Sequence, residues 1–250
     1  MLDLDNLPNK APEYDLRTLF EANLHFGHKV ADWNPKMQRF IYTHKNGVHI
    51  FDLEKTAFKL QQAYNAIYQA ASQGKEVVVV GTKSAAKEIV EAKSKEVGLN
   101  YITSRWLGGL LTNWDQVSKS LKRMLEMERK LETGEYKGYT KYEVGKIEKE
   151  VSRLRRFFDG LRGLKHKPDV LVVIDPVKEL VAVKEANISQ VPVVALIDSN
   201  GNPDLVDVPV PGNDDAVKSI ELFMTEIAKA YSEGKTGKKP VEEKKAETKK

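Results

Sequence analysis

The sequence predicts an α/β fold: a parallel five-stranded sheet with flanking helices, interrupted by an inserted antiparallel α-helical coiled-coil hairpin. Three observations carry that reading. From residue 47 onward, short β-branched runs alternate with helical stretches, the rhythm of a parallel sheet with crossover helices. Between residues 114 and 167 that rhythm gives way to apolar residues in steps of three and four. The longest unbroken apolar runs, 77–80, 170–174 and 193–197, fall far short of the roughly 20 residues of a membrane-spanning helix, so no membrane partner is expected.

In chain order, residues 1–15 (MLDLDNLPNKAPEYD) are acidic and prolyl, unlike a secretory signal, and predict a flexible extension. Residues 48–52 read as a strand, and 55–72 as a helix whose Phe58, Tyr64, Ala66, Ile67 and Ala70 form an apolar stripe ended by Gly74. A buried strand (76–81), a helix (83–97) closed by Gly98 and a short strand (100–103) follow. After the insert come a strand (169–175), a helix (178–186), a strand (193–198), a Gly/Pro/Asp-rich loop and a last helix (214–231). The α/β domain therefore comprises 16–113 and 168–232. Residues 233–250 form a Lys-rich tail whose low hydrophobicity and high charge predict disorder.

In the insert, Val117, Leu121, Met124 and Leu131 mark one limb, and Val144, Ile147, Val151, Leu154, Phe158 and Leu161 the other. TGEYKGY (133–139) turns between them, so 114–167 forms a hairpin with limbs of about 30 Å at 1.5 Å per residue. The apolar seam faces the partner limb, which leaves the Lys and Arg side chains outward. The formal net charge of +4 hides this asymmetry. Residues 115–167 carry 15 basic and 9 acidic groups, whereas residues 168–234 carry 4 and 12. A polyanion is attracted to the first face and repelled by the second.

Catalytic readings find little support. The chain has no cysteine, which excludes disulfides, thiolate metal sites and thiol catalysis and fits a cytosolic protein. Gly81-Thr82-Lys83-Ser84 follows a strand but lacks the GxxxxGK spacing of a phosphate loop, and no GxGxxG follows any strand. Lys83, opening a helix, is still placed to touch a phosphate of a larger ligand. His25 and His28 are three residues apart and predict one side of a helical turn, where a carboxylate such as Asp198 or Asp204 would complete a metal site; packing and hydrogen bonding are the simpler roles. Asp175 and Asp198 stand at strand ends without a partner base or nucleophile, so capping and turn formation account for them.

Basic and aromatic loop residues are the remaining candidates. Lys29, Trp33, Lys36 and Arg39 lie in a segment where Asn34-Pro35 breaks any helix. Arg105 and Trp106 precede Gly108-Gly109, which permits positive φ or close backbone approach; Arg105 suits a phosphate, and Trp106 either stacks on a base or plugs the core. Lys119, Lys122 and Arg123 form a basic ridge at the root of the arm.

LFEANLHFGH (19–28), WNPKM (33–37), FDLEKT (51–56), SRWLGGLLTNW (104–114), PDVLVVID (168–175), KEANISQVPVVALIDSN (184–200) and VPGNDDA (210–216) occur together and in order. The set resembles the bacterial small-subunit ribosomal protein S-two family over about residues 16–232, with the arm sequence divergent. The resemblance implies a flavodoxin-like sheet with a coiled-coil insert, no enzymatic activity and no cofactor. It implies a cytoplasmic place on the ribosome, on the solvent side of the small subunit between head and body. The implied partners are small-subunit rRNA and neighbouring ribosomal proteins, including S-one, which holds messenger RNA near its exit; a homo-oligomer is not expected. The rRNA-facing candidates are then Lys29, Trp33, Lys36, Arg39, Lys83, Arg105, Lys119, Lys122 and Arg123. The acidic N-terminal segment and the short Lys-rich tail depart from the usual family pattern. A nucleotide-dependent α/β enzyme is the competing reading.

Overall fold

In a computed structural model, which describes residue 4 and residues 6–237, the chain opens on a short helix, α1 (Leu16–Glu21), capped by the Asp15 carboxylate accepting from Arg17 N–H at 3.1 Å. Next comes a small antiparallel sheet of β1 (Phe26–Lys29), β2 (Ile41–Lys45) and β3 (Val48–Phe51), with β3 in the middle. Asn46 and Gly47, at φ 53° and 76°, supply the left-handed pair that a two-residue β2–β3 hairpin requires. The predicted strand at 48–52 thus exists but does not belong to the parallel sheet.

That sheet comprises β4 (Val77–Val80), β5 (Asn100–Ile102), β6 (Val170–Ile174), β7 (Val193–Ile197) and β8 (Val208–Pro211), in the order β5-β4-β6-β7-β8. Every neighbouring pair is parallel, with Val78 opposite Leu171, Leu171 opposite Val193 and Val194 opposite Val208. Numbered along the chain this is 2-1-3-4-5, the flavodoxin-like order, with its switch point between β4 and β6. The fifth strand, β8, lies within the stretch read as a Gly/Pro/Asp-rich loop. Pro209 and Pro211 cannot donate to a ladder, and β8 tolerates them because it is an edge strand.

Successive strand residues point to opposite faces, so the valines divide between two cores. Val77, Val79 and Val172 meet α2 (Leu53–Ser72), α3 (Ser84–Val97) and α7 (Val217–Thr236) through Leu60, Tyr64, Val90, Phe223 and Ile227. Val78, Val80 and Val173 meet Trp106, Leu110 and the helices α4 (Trp114–Thr133), α5 (Lys141–Phe158) and α6 (Leu180–Ile188) through Leu121, Met124, Phe158 and Val183. Phe58, expected on the apolar stripe of α2, instead faces solvent and is 57% exposed.

The insert forms two helices, α4 and α5, joined by residues 134–140, with a capping box of Thr140 and Glu143 starting the second. The buried Glu128 carboxylate of α4 receives Arg155 of α5 and both terminal nitrogens of Arg162, at 2.6 and 2.9 Å, across the root of the pair.

Both chain ends differ from expectation. Leu7, Ala11 and Tyr14 of the N-terminal segment pack against the first core; Lys10 and Ala11 N–H groups donate to Asn65 at 2.9 and 2.8 Å, and the Tyr14 hydroxyl to Glu226 at 2.9 Å. The segment is therefore laid along α2 and α7 rather than free. Helix α7 runs to Thr236, past the predicted tail boundary at 233; residues 238–250 of that tail lie outside the described residues. No described helix is long and apolar enough to cross a membrane.

Candidate functional site

The loop after β1 is positioned by apolar anchors. Met37 and Phe40 are buried against Phe51 and Ile197, and Asn34 ties the loop down by donating its N–H to the Ser199 carbonyl at 2.7 Å. Its side-chain oxygen caps the 3-10 turn Pro35–Phe40 through Lys36 N–H at 3.0 Å. With Met37 and Phe40 inward, Lys36 and Arg39 project outward, and both reach Asp204, at 2.7 and 3.2 Å. Hydrogen bonding from Lys36, with support from Arg39, holds the Asp204 carboxyl below its ordinary range. Lys29 is exposed, and Trp33 is half-buried against the His49 ring at 5.0 Å.

The loop before α4 is built around Glu185 of α6. This buried carboxylate accepts from the Trp106 indole at 3.2 Å, Gly109 N–H at 2.8 Å and Leu111 N–H at 3.3 Å. Gly109, at φ 90°, provides the backbone turn. Trp106 is a core plug, so the stacking alternative is set aside, while the neighbouring Arg105 is exposed. Lys119, Lys122 and Arg123 are exposed on the first turns of α4.

Lys83 has a different environment. Its ammonium lies 2.6 Å from Asp214, 2.5 Å from Asp215 and 3.3 Å from Asp175, at the carboxyl ends of β4, β6 and β8. Burial works against its charge, but hydrogen bonds to Asp214 and Asp215 outweigh it and raise its pKa. A phosphate entering here would meet three carboxylates that already pair with the Lys83 ammonium. Asp175, at φ 64°, caps the following turn through Val177 and Lys178 N–H at 3.1 and 3.0 Å, as its strand-end position suggested.

His25 and His28 lie on or beside a strand, not a helical turn, and three-residue spacing there sends them to opposite faces. His25 is buried between the Phe20 and Phe26 rings, at 4.2 and 4.0 Å, and burial lowers its pKa. His28 enters the crevice: Nδ1 is 2.9 Å from Asp198, and Nε2 is 3.6 Å from Asp215. The Asp198 hydrogen bond raises the ring to about 9 despite burial. Burial pushes Asp214 up to about 7, helped by the charges of Asp175 and Asp198. One ligand atom each from His28, Asp198 and Asp214 lie within 4.8 Å of one another, but the His28 ring is held protonated against Asp198 and the Lys83 ammonium occupies Asp214, so the cluster supplies its own cations. Asp204, the other carboxylate considered, is committed to Lys36 and Arg39.

Sequence reasoning missed Glu185 and Asp214. Glu185 was detectable as a charged residue on the inward row of Ala182, Val183 and Ala186. The involvement of Asp214 depends on strand β8 and had no local signal.

The model of the family described as ribosomal protein S2 matches residues 19–234. The chain belongs to the ribosomal protein S2 family. It is similar to small ribosomal subunit protein uS2 of Dictyoglomus thermophilum and of Dictyoglomus turgidum, 41% identical to each over 220 residues, covering 88% of this chain and 89% of each relative. In this S2 protein, the crevice at the switch point, where open α/β sheets commonly bind ligands, is filled by its own Lys83, His28 and carboxylates. The loops and the helical insert carry the outward cations.

Proposed function

We propose that this chain is a nonenzymatic constituent of the small ribosomal subunit, acting in the cytoplasm on the ribosome. It binds rRNA between head and body, with neighbouring ribosomal proteins as its other partners and no cofactor needed for the role. The family match across residues 19–234 carries this reading. The surface supports it: Lys29, Arg105, Lys119, Lys122 and Arg123 are exposed, with Lys36 and Arg39 sharing one acid beside them. Such cations fix orientation through phosphates, while the deep, narrow major groove of A-form RNA keeps side chains from reading sequence. The α4–α5 pair acts as a coiled-coil arm that carries positive charge away from the sheet.

A protein partner needs a different surface. Leu16, Phe20, Phe26 and Tyr42 line an apolar groove of about 680 Å³ beside the small sheet, with Tyr42 77% exposed. This exposed apolar groove is the surface we assign to docking ribosomal protein S-one near the messenger RNA exit. Charge reversal tests the RNA assignment: Arg105→Glu and Lys36→Glu should each reduce incorporation into small subunits while leaving the thermal melt of the isolated protein unchanged. Normal incorporation of both variants would remove these residues from the interface.

A further inference from the structure

The outward side of α5 presents Tyr142, Lys146, Lys149, Arg153 and Arg156 in steps of four, three, four and three, which places them in one row along the helix. All five are exposed. At 1.5 Å per residue the row is about 21 Å long, with a cation at roughly every turn over its last three turns. Among the described residues, neither Lys149 nor Arg156 has a carboxylate within ion-pair distance; Arg153 reaches only the half-buried Glu150, three residues before it, at 2.8 Å, and Lys146 lies over the Tyr142 ring at 4.5 Å. The comparable row on α4 is broken by acids: Lys119 and Lys122 lead to Glu126, which pairs with Lys130. Gly145 and Ser152 beside the α5 row leave a shallow groove of about 550 Å³, bordered by Lys149, Arg153 and Arg156 on one side and by Glu148 on the other. At its base the row continues into the candidate RNA loop, because the Ser104 hydroxyl donates to the Arg156 carbonyl next to Arg105.

We propose that this α5 row, and not the first turns of α4 alone, is the arm's contact with an RNA phosphate backbone. The inference rests on the ribosomal role proposed above and names residues that the sequence reading left out. Charge complementarity selects the partner: four cations in an unbroken row suit a polyanion. The groove lets its backbone approach the helix on the Lys149 side, and Tyr142 at the far end offers a ring to an unpaired base. An acidic protein neighbour is the alternative occupant that the test must separate.

Two variants make the test. In the first, Lys146, Lys149, Arg153 and Arg156 are all changed to Gln, which preserves helix propensity and solvent exposure. Its binding to salt-stripped small subunits is compared with that of the unaltered protein between 50 and 200 mM salt. Loss of four phosphate contacts should flatten the slope of log affinity against log salt by about 3, so the unaltered protein should lose roughly 60-fold more affinity over that range. In the second, Ser152→Cys in this cysteine-free chain carries a tethered hydroxyl-radical source, and rRNA strand cleavage should follow. An unchanged slope, or a flattened slope with no rRNA cleavage, overturns the RNA assignment of the row; the latter outcome points to an acidic protein. Failure of the unaltered protein to bind small subunits would instead overturn the ribosomal role itself.

Discussion

Asp204 receives both Lys36 and Arg39, so the loop after β1 presents less positive charge than its sequence suggests. The pairs are exposed and contribute little to folding, but they compete with phosphates for the same cations. Asp204→Asn should therefore leave the melting temperature nearly unchanged and tighten binding to small subunits at low salt; weaker binding would show that Asp204 itself faces a partner. Glu185 has the opposite character. Glu185→Ala leaves the buried Trp106 indole and two backbone N–H groups without an acceptor, at a cost of about 2–4 kcal/mol. In a thermal melt this should read as a fall of roughly 5–15 °C. The exposure of Lys29, Arg105, Lys119, Lys122 and Arg123 was legible from their place in loops and on a polar helix face. The fates of Lys36, Arg39 and Lys83 were not, because Asp204 and Asp214 lie more than a hundred residues away along the chain and only the tertiary fold supplies them.

At the scale of elements, the alternation of β-branched runs and helices correctly indicated a parallel sheet of five strands but assigned one strand wrongly. Residues 48–51 have strand composition, which does not say which sheet they join; the Asn46-Gly47 pair before them is the hairpin signal that places β3 beside β2. β8 was hidden by its two prolines. The root of the insert depends on Glu128, whose carboxyl is held below its ordinary value of 4.5 by hydrogen bonds from Arg162 and Arg155, against the opposing effect of burial. A lowered folded-state pKa means that Glu128 contributes its stability in full above about pH 4.5 and loses it as pH falls through the lower folded value. Acid titration followed by a probe on the arm should show this loss for the unaltered chain. In Glu128→Gln the arm should already be loosened at neutral pH, because the two arginines lose their counter-charge. An identical acid profile for the two proteins would remove Glu128 from the arm's support.

For the whole molecule, the excess of acid in the C-terminal third is partly internal. Asp175, Asp198 and Asp214 are buried in the crevice with Lys83 and His28, so they do not form a free acidic face. The basic groups of the loops and the arm remain outward, and the molecule presents its positive side to a polyanion more clearly than a net charge of +4 suggests. With about five phosphates neutralised by the loop and arm-root cations, log affinity against log salt should slope at −4 or more steeply. The most direct measurement is quantification of the native protein across sucrose gradients of cell lysate at low and at high salt. Co-sedimentation with small subunits at low salt and release at high salt is the predicted result. Protein that stays at the top of both gradients would contradict a stoichiometric place on the ribosome.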